Sequence, residues 1–354
     1  MSADELNKTG DESSVTGRGW TDLPDTPATL AALVLKIGEQ QRRVATVAAS
    51  GLGGHIDRGQ HQKQLLGAPG TLRLFEAVPA ALRSGPLIAP FTLPVACRFS
   101  NGQPCPFSDQ MADVRGVALK FFSPAGTETD ILATNEGGRS HAKDARQFMA
   151  VADLLVKKIE SGTSGAFEAL INELSDGQLT VGELTRIGAV LVQEVRLHSV
   201  RSLALESYWG SVVRLGEAAF KYSLHPHQDT LPLNGFVHDG PDCLREELLA
   251  RLTGGPIRWR LSVQLYLDEE NTPVNDASRA WRAVPIVIGE LELSSIPSEA
   301  DERMINQMAF NPANGFEPLG ITHARADVYA ASARNRAERG LLSTDDARQY
   351  FAEK

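Results

Sequence analysis

The sequence predicts an α+β fold in which an antiparallel β-sheet or barrel is surrounded by helices. Strand-like segments broken by Pro and Gly turns occupy 71–122 and return in 220–293, on either side of a helical block at 142–202. Strands and helices do not alternate as βαβ units, which argues against a doubly wound parallel sheet. A chain of 354 residues, 42% hydrophobic and 22% charged, is long enough to bury such a core.

Each predicted element follows from a local pattern. The first 25 residues are polar and rich in Ser, Gly, Thr and Asp, which predicts a flexible leader at 1–25 and a single domain at 26–354. Helical segments place apolar residues on one face, and strand segments are short runs between Pro and Gly. In chain order the elements are helix 29–49; strands 71–78, 93–99 and 114–122; helices 144–158, 166–174 and 181–197; strand 220–224; helix 244–252; strands 257–268 and 284–293; and helix 321–339.

Composition excludes several classes of function. The net charge of −9 and the lack of a long basic run argue against binding to nucleic acid. The 3 cysteines suggest neither a disulfide framework nor a zinc site, so a reducing compartment is the simplest expectation. No segment has the length and hydrophobicity of an integral membrane span. The sequence therefore predicts a cytoplasmic protein.

An arginine and a tyrosine in the last predicted helix form the first candidate site. Arg325 and Tyr329 lie four residues apart, and Gly340 follows the helix at a typical C-cap position. Residues at this spacing share a helix face, so the guanidinium can reach the phenol oxygen. A phenol, with a pKa of about 10, is a poor ligand when neutral, and both a ferric ion and a guanidinium favour the phenolate. The pair indicates a Tyr–Fe(III) bond; the alternative is ordinary surface packing.

Several upstream motifs complete a constellation. Arg58 and Lys63 flank His61 in an Arg-x-x-His-x-Lys segment, Arg-Phe-Ser follows at 98–100, and Arg-Gly-x-Ala-x-Lys-Phe occupies 115–121. An Asn at 135 precedes the Arg-x-x-x-Tyr motif at 325–329. This order resembles the haem catalase superfamily, and the resemblance extends over roughly 57–339. It implies an antiparallel β-barrel with surrounding helices that binds haem b.

The resemblance also implies a role for each matched residue. His61 would be the distal base that moves a peroxide proton, and Asn135 the neutral amide that donates to the bound peroxide. Ser100 would hold the His61 ring, and Phe148 would pack on the porphyrin face. Tyr329 would be the iron ligand. The basic groups that pair with the haem propionates or the phenolate would be Arg58, Arg98 and Arg325.

The chain is similar to a short branch of this superfamily, the coral-type allene oxide synthases and bacterial catalase-related peroxidases. It ends soon after the matched tyrosine, and the polar, Gly-containing stretch between Asn135 and Phe148 is typical of that branch. Where catalases carry Val before the distal histidine, this chain has Gln60, a polar neighbour that could tilt the imidazole. The segment 64–70 is expected to be an inserted or rearranged loop that re-lines the distal channel.

These features favour a haem-dependent enzyme that cleaves organic hydroperoxides, with fatty-acid hydroperoxides as the expected substrates. The product would be an allene oxide or epoxy alcohol by rearrangement, or an alcohol by peroxidase reduction. A small catalase or peroxidase acting on hydrogen peroxide is the alternative enzyme. A haem carrier or sensor, or a barrel that serves only as an interaction module, is the alternative of another class. Assembly as a monomer or a homodimer is left open.

Overall fold

The computed structural model describes residues 20, 32, 34–40, 42–43, 58–103, 106–161, 179–197, 200–341 and 350–351. A β-barrel dominates this part of the chain. Its strands and the short strands attached to it are β1 (Gln64–Leu74), β2 (Phe91–Asn101), β3 (Arg115–Phe122), β4 (Glu128–Thr134), β5 (Tyr208–Gly210), β6 (Val213–Leu215), β7 (Ala218–Pro226), β8 (Ile257–Leu265), β9 (Ile286–Leu293) and β10 (Glu317–Pro318).

Within the described residues, eight of these strands close into a ring in the order β7-β5-β4-β3-β2-β1-β9-β8, with β8 pairing back onto β7. The neighbours in this ring are antiparallel. Strand β6 pairs with β7 and β10 pairs with β6, so these two extend the sheet beside the ring. Closure removes the free edges that an open sheet would expose.

Aromatic side chains fill the centre of the barrel. Phe99 is buried there, and its ring centroid lies 5.5 Å from that of Trp259 and 6.2 Å from that of Tyr208. Leu119 and Ile131, from the two strands that follow β2, belong to the same cluster. Large buried aromatic and branched side chains give this interior close packing, which fixes the positions of the strands around it.

The helices lie outside the barrel. Among the described residues they are α1 (Ala145–Ser161), α2 (Val181–Leu197), α3 (Cys243–Gly254), α4 (Glu299–Gln307) and α5 (Thr322–Glu338). Ser298 and Asp301 form a capping box at the start of α4, which packs against β1 and β2. Helix α5 packs against α1 and β10. No helix of the described ranges is long and apolar enough to cross a membrane.

The predicted fold class, an antiparallel barrel surrounded by helices, is confirmed. The bounds predicted for α2 are those observed, and α5 is one residue shorter at each end than the predicted helix 321–339. One prediction is wrong: the segment 64–70 is the first half of β1 rather than an inserted loop. A bulge between Gln64 and Leu66 interrupts the alternation there, which hides the strand from a periodicity argument.

Other elements were not predicted, or lie wholly or partly outside the described residues. Strands β5, β6 and β10 are two or three residues long and carry too little pattern to be found, and α4 is largely polar. Except for Trp20, the predicted leader at 1–25 lies outside the described residues, as does helix 166–174. The predicted helix 29–49 is described only in part. The division into a leader and one domain stays a prediction.

Candidate active site

A cavity lies between the outer face of the barrel and helices α1 and α5. Successive residues of a strand point to opposite faces, so the strands that bury Phe99, Leu119 and Ile131 inside the barrel send their other side chains outward. The outward residues that line the cavity are Arg98, Ser100, Gly116, Ala118, Leu132 and Thr134. Helix α5 supplies residues of one face, three and four apart: Arg325, Val328, Tyr329, Ser332, Ala333 and Arg336.

His61 is held against the barrel by backbone and side-chain bonds. Its φ angle of 55° lies in the left-handed region that non-glycine residues rarely adopt. Its N–H donates to the Gly102 carbonyl (3.0 Å), and its own carbonyl accepts from Nη2 of Arg98 (2.9 Å). Nδ1 lies 3.1 Å from Oγ of Ser100. These contacts hold a strained backbone in place, an arrangement that is common at functional sites.

Gly116 makes room for this ring. A Cβ atom at Gly116 would lie 2.7 Å from both Cε1 and Nδ1 of His61 and 3.2 Å from Oγ of Ser100. A distance of 2.7 Å is far inside van der Waals contact, so any larger residue would displace the imidazole. The glycine of the Arg-Gly-x-Ala motif is therefore a steric requirement of the His61–Ser100 pair.

The surroundings of His61 favour its neutral form. Burial lowers the pKa of the imidazole to about 4, and the charges of Arg98, Arg325 and Arg58 act in the same direction. The Glu136 carboxylate opposes them and raises the pKa. At neutral pH the ring therefore carries a lone pair and can accept a proton, as a general base must.

Tyr329 brings a phenol to the cavity from α5. Burial raises its pKa, while the positive charges of Arg325, Arg98 and Arg58 lower it without outweighing burial. The arginines alone thus do not ionise the phenol, and a metal cation at the oxygen would be needed to do so. The Arg325 guanidinium, which helical spacing allows to reach this oxygen, bonds Oγ of Ser211 and, at 2.9 Å, Oγ of Ser140 in the structure.

Arginines meet at another part of the cavity lining. Nη2 of Arg58 donates to the Asn306 carbonyl (2.5 Å), and so does Nη2 of Arg336 (2.8 Å). Nε of Arg98 lies 3.4 Å from Oδ1 of the same asparagine. The predicted basic residues Arg58 and Arg98 are therefore brought together, and the structure adds Arg336, which the sequence reading did not single out. Converging guanidinium groups suit a ligand that carries carboxylates.

Phe148 reaches the cavity from α1. The side chain is 5% exposed, and the guanidinium carbon of Arg325 lies 5.7 Å from the ring centroid. Its predicted place beside a bound planar ligand fits this position, because a phenyl ring offers an apolar face to such a group.

Asn135 is not among the residues that line the cavity. Its Oδ1 accepts from the Arg115 backbone N–H (2.8 Å), and its Nδ2 donates to Oε2 of Glu206 (2.9 Å). Its chain neighbours, Thr134 and Glu136, line the cavity instead. The bond to Arg115 holds the end of β4 against the start of β3, and the contact between the Asn135 amide and a bound peroxide stays a prediction.

Glu136 and His141 are two further polar residues of the cavity that sequence reasoning missed. Oε1 of Glu136 lies 3.3 Å from Nδ1 of His141, and Thr134 donates its hydroxyl to Oε2 (2.7 Å). The only sequence signal was a short polar run around two glycines. Such a run predicts a loop and gives no indication of which way its side chains point.

The chemistry of the lining matches the haem that the resemblance implies. Much of it is apolar, from Val117, Ala118, Leu132, Val151, Met308, Phe310, Pro312 and Val328. Tyr329 lines this space with its phenol, and guanidinium groups meet at one part of it. A flat apolar cofactor with two carboxylates and an oxygen-binding metal would satisfy each of these groups. The residues present fit haem.

Comparison with known proteins then decides the family. The chain is 30% identical over 274 residues to a protein of Mycolicibacterium paratuberculosis named catalase-related peroxidase, with 72% of this chain and 82% of that protein covered. The chain belongs to the catalase-related branch of the catalase superfamily. No model of a protein family matches it.

Solved structures agree on the fold of this catalase-related chain. A fungal catalase matches with a TM-score of 0.63 and 18% identity, covering 80% of this chain and 60% of that one. A bacterial catalase gives 0.58 and 18%, with 92% and 63% covered. Catalase A from Saccharomyces cerevisiae gives 0.58 and 16%, with 83% and 61% covered. The chain therefore spans about three fifths of the length of these catalases.

Proposed function

We propose that this protein is a haem-dependent oxidoreductase that cleaves organic hydroperoxides, with fatty-acid hydroperoxides as its substrates. The observation that carries the proposal is the lining of the cavity, where the His61–Ser100 pair and the Tyr329 phenol face the same space. The name of the mycobacterial relative supports a reaction with peroxides. The cleavage would lead either to an alcohol by peroxidase reduction or to an allene oxide or epoxy alcohol by rearrangement.

The cofactor would be haem b, which when bound supplies the chemistry of O–O cleavage. Tyr329 would ligate its iron, as tyrosine does in catalases. Arg58, Arg98 and Arg336 would pair with its propionates, and Phe148 would pack against it. Arg325 would act on the phenolate through its charge, since its hydrogen bonds go to serine hydroxyls.

His61 would move the proton of the hydroperoxide. A base at Nε2 requires the ring proton to sit on Nδ1, where Oγ of Ser100 can accept it at 3.1 Å. The pKa of about 4 keeps Nε2 free of a proton at neutral pH. Nε2 would take the proton from the terminal oxygen and return it to the oxygen that leaves with the organic group.

The nature of the lining favours an organic substrate over hydrogen peroxide. Gln60, next to His61, lines the cavity and places an amide where a catalase has a small apolar residue. The Phe148, Met308 and Phe310 side chains offer apolar contacts to a hydrocarbon chain. Hydrogen peroxide would gain nothing from such contacts, so a small catalase is the second candidate function.

Stopped-flow spectroscopy of the purified protein tests the proposal, with the haem spectrum, oxygen release and peroxide loss followed together. Fast loss of a fatty-acid hydroperoxide with little oxygen release is expected. Vigorous oxygen release from hydrogen peroxide would identify the second candidate instead. Product analysis then separates reduction from rearrangement.

The ligand assignment needs its own test. Tyr329→Phe removes the phenol oxygen and should abolish or greatly reduce haem content, measured per protein by absorbance. Tyr350→Phe, a buried tyrosine outside the cavity lining, is the matched control and should keep full haem content. Normal haem content in Tyr329→Phe would exclude tyrosine ligation.

The cytoplasmic location and the homodimer stay predictions.

A further inference from the structure

The cavity contains a second histidine with a different kind of partner. His141 and Glu136 form a carboxylate–imidazole pair at 3.3 Å, with side chains 15% and 8% exposed. Both residues line the same cavity as His61 and Tyr329. Nε2 of His141 is buried and has no hydrogen-bond partner within the described part of the chain. A buried nitrogen that has no hydrogen-bond partner in the protein is expected to bond a ligand or a water molecule.

The loop after β4 is built to present this pair. Gly137 and Gly138 have φ angles of 71° and 79°, which turn the chain back on itself within a few residues. The Ser140 N–H donates to the Ala277 carbonyl at 2.7 Å and anchors the loop. Both glutamate and histidine thus reach the cavity, although they are five positions apart.

The charge state of Glu136 fixes which nitrogen of His141 carries a proton. Burial acts to raise the pKa of this carboxyl, but the bond from His141, the positive charge of His141 when its ring is protonated, the charge of Arg325 and the bond from Thr134 outweigh it and bring the pKa to about 2. An ionised carboxylate can only accept hydrogen bonds, so Nδ1 of His141 must be the donor. In the neutral ring, Nε2 is then an acceptor, as in other carboxylate–histidine pairs that serve as bases.

We propose that His141 is a specificity-determining residue that binds an uncharged hydroxyl group of an organic ligand through Nε2, with Glu136 as its positioning residue. An acceptor selects a donor, and the neighbouring carboxylate disfavours an anionic group, which leaves an O–H as the matching chemistry. The positive charge of Arg325 disfavours a cation at the same place. The pair therefore selects alcohols or phenols.

The identity of the compound that carries this hydroxyl rests on the proposed function. A peroxidase needs a reducing co-substrate, for which a phenol is a suitable class, and it releases an alcohol from the hydroperoxide. Either compound would bring an O–H into the cavity. The hydroxyl preference itself does not depend on turnover, so it can be measured in the resting protein.

The test compares ligands that differ only in the hydroxyl group. Dissociation constants of phenol and its methyl ether anisole, and of 1-hexanol and methyl pentyl ether, are measured by calorimetry on the haem-loaded protein. One well-placed hydrogen bond should make the hydroxyl compound bind about fivefold tighter than its ether. In His141→Leu that ratio should fall to about one, whereas His227→Leu, outside the cavity lining, should keep it.

The two ligand pairs distinguish the possible sources of the hydroxyl group, and the variants show which proposal fails. A preference in the phenol pair alone identifies a reductant site, and a preference in the aliphatic pair alone identifies a product-alcohol site. Equal ratios in the wild-type protein and His141→Leu would overturn the inference, and would mean that Nε2 holds only a water. If His141→Leu does not fold, Glu136→Leu tests the same contact. Without the carboxylate, the ring proton is no longer held on Nδ1, so the ratio of ether to hydroxyl dissociation constants should fall. A protein that lacks hydroperoxide turnover but keeps the His141-dependent ratio would refute the proposed function alone.

Discussion

His61 and His141 face one cavity, but the chain supports them in different ways. His61 is held by the barrel, with a hydroxyl at Nδ1 and the carbonyl of its own backbone bound by Arg98. His141 lies on a loop shaped by glycines, with a carboxylate at Nδ1. In the proposed roles, the first arrangement would give a base that stays neutral among positive charges, and the second would give an acceptor of fixed tautomer. The same side chain thus receives two roles from its neighbours.

The two histidines should differ most in the loss of activity that follows when each ring is removed. His61→Ala should lower kcat/KM for a fatty-acid hydroperoxide by about 10²–10⁴, the usual contribution of a general base. His141→Leu should lower it by less than tenfold, because only a binding contact is lost. Steady-state kinetics on both variants, with haem content checked by absorbance, measures this. Full activity in a haem-loaded His61→Ala protein would remove the base assignment.

Gly116→Ala tests whether the position of the His61 ring matters as much as its presence. The added Cβ would lie 2.7 Å from the ring, so the imidazole must move away from Ser100. A displacement of about 1 Å can cost on the order of 10²-fold in rate, and we expect a loss of this size in kcat with little change in thermal unfolding. Gly254→Ala, whose Cβ would meet nothing within 4 Å, is the control and should be fully active. Equal activity of the two variants would show that the ring can shift freely.

The pH dependence of turnover tests whether His61 is a neutral, desolvated base. Because burial and the nearby arginines lower the pKa of His61 to about 4, the base should stay active as the pH falls below 6.5 and lose activity only as it approaches 4. The sign for stability follows from the same shift. The unfolded chain takes up this proton at a higher pH than the folded protein does, so the free energy of unfolding falls as the pH decreases through this window.

A pH profile of kcat/KM, with denaturant unfolding measured at each pH, tests both statements. His61→Ala should lose part of the acid destabilisation. An acid limb of activity centred near 6.5 in the wild-type protein would contradict the neutral, desolvated imidazole.

The smallest expected effect links the two histidines. The Glu136 carboxylate raises the pKa of His61, so Glu136→Gln should move the acid limb of kcat/KM to a lower pH, by less than one unit. Glu217→Gln, on an exposed turn, should leave the limb in place. A shift to higher pH in Glu136→Gln would show that the loop controls His61 through its position rather than through charge.

The order and spacing of the amino acids alone were enough to identify which residue types matter. The barrel with helices and the family follow from periodicity and from motifs of fixed spacing. The motif residues His61, Ser100, Arg58, Arg98, Phe148 and Tyr329 all line the cavity. Arg98 and Ser100 lie on β2, and Phe148 and Tyr329 lie on helices, so the period of these elements positions them, whereas Arg58 and His61 lie in the segment just before β1.

The folded chain was needed to show which side chains face that cavity and what they contact. A shift of one residue reverses the face of a strand, which separates Asn135, bound to the backbone of Arg115, from Glu136 in the cavity wall. Helical spacing allowed Arg325 to reach Tyr329, but the serines of other segments hold its guanidinium. The Glu136–His141 pair depends on the positive φ angles of the glycines between them. Such contacts between distant segments leave no local period in the sequence, and therefore only the folded chain reveals them.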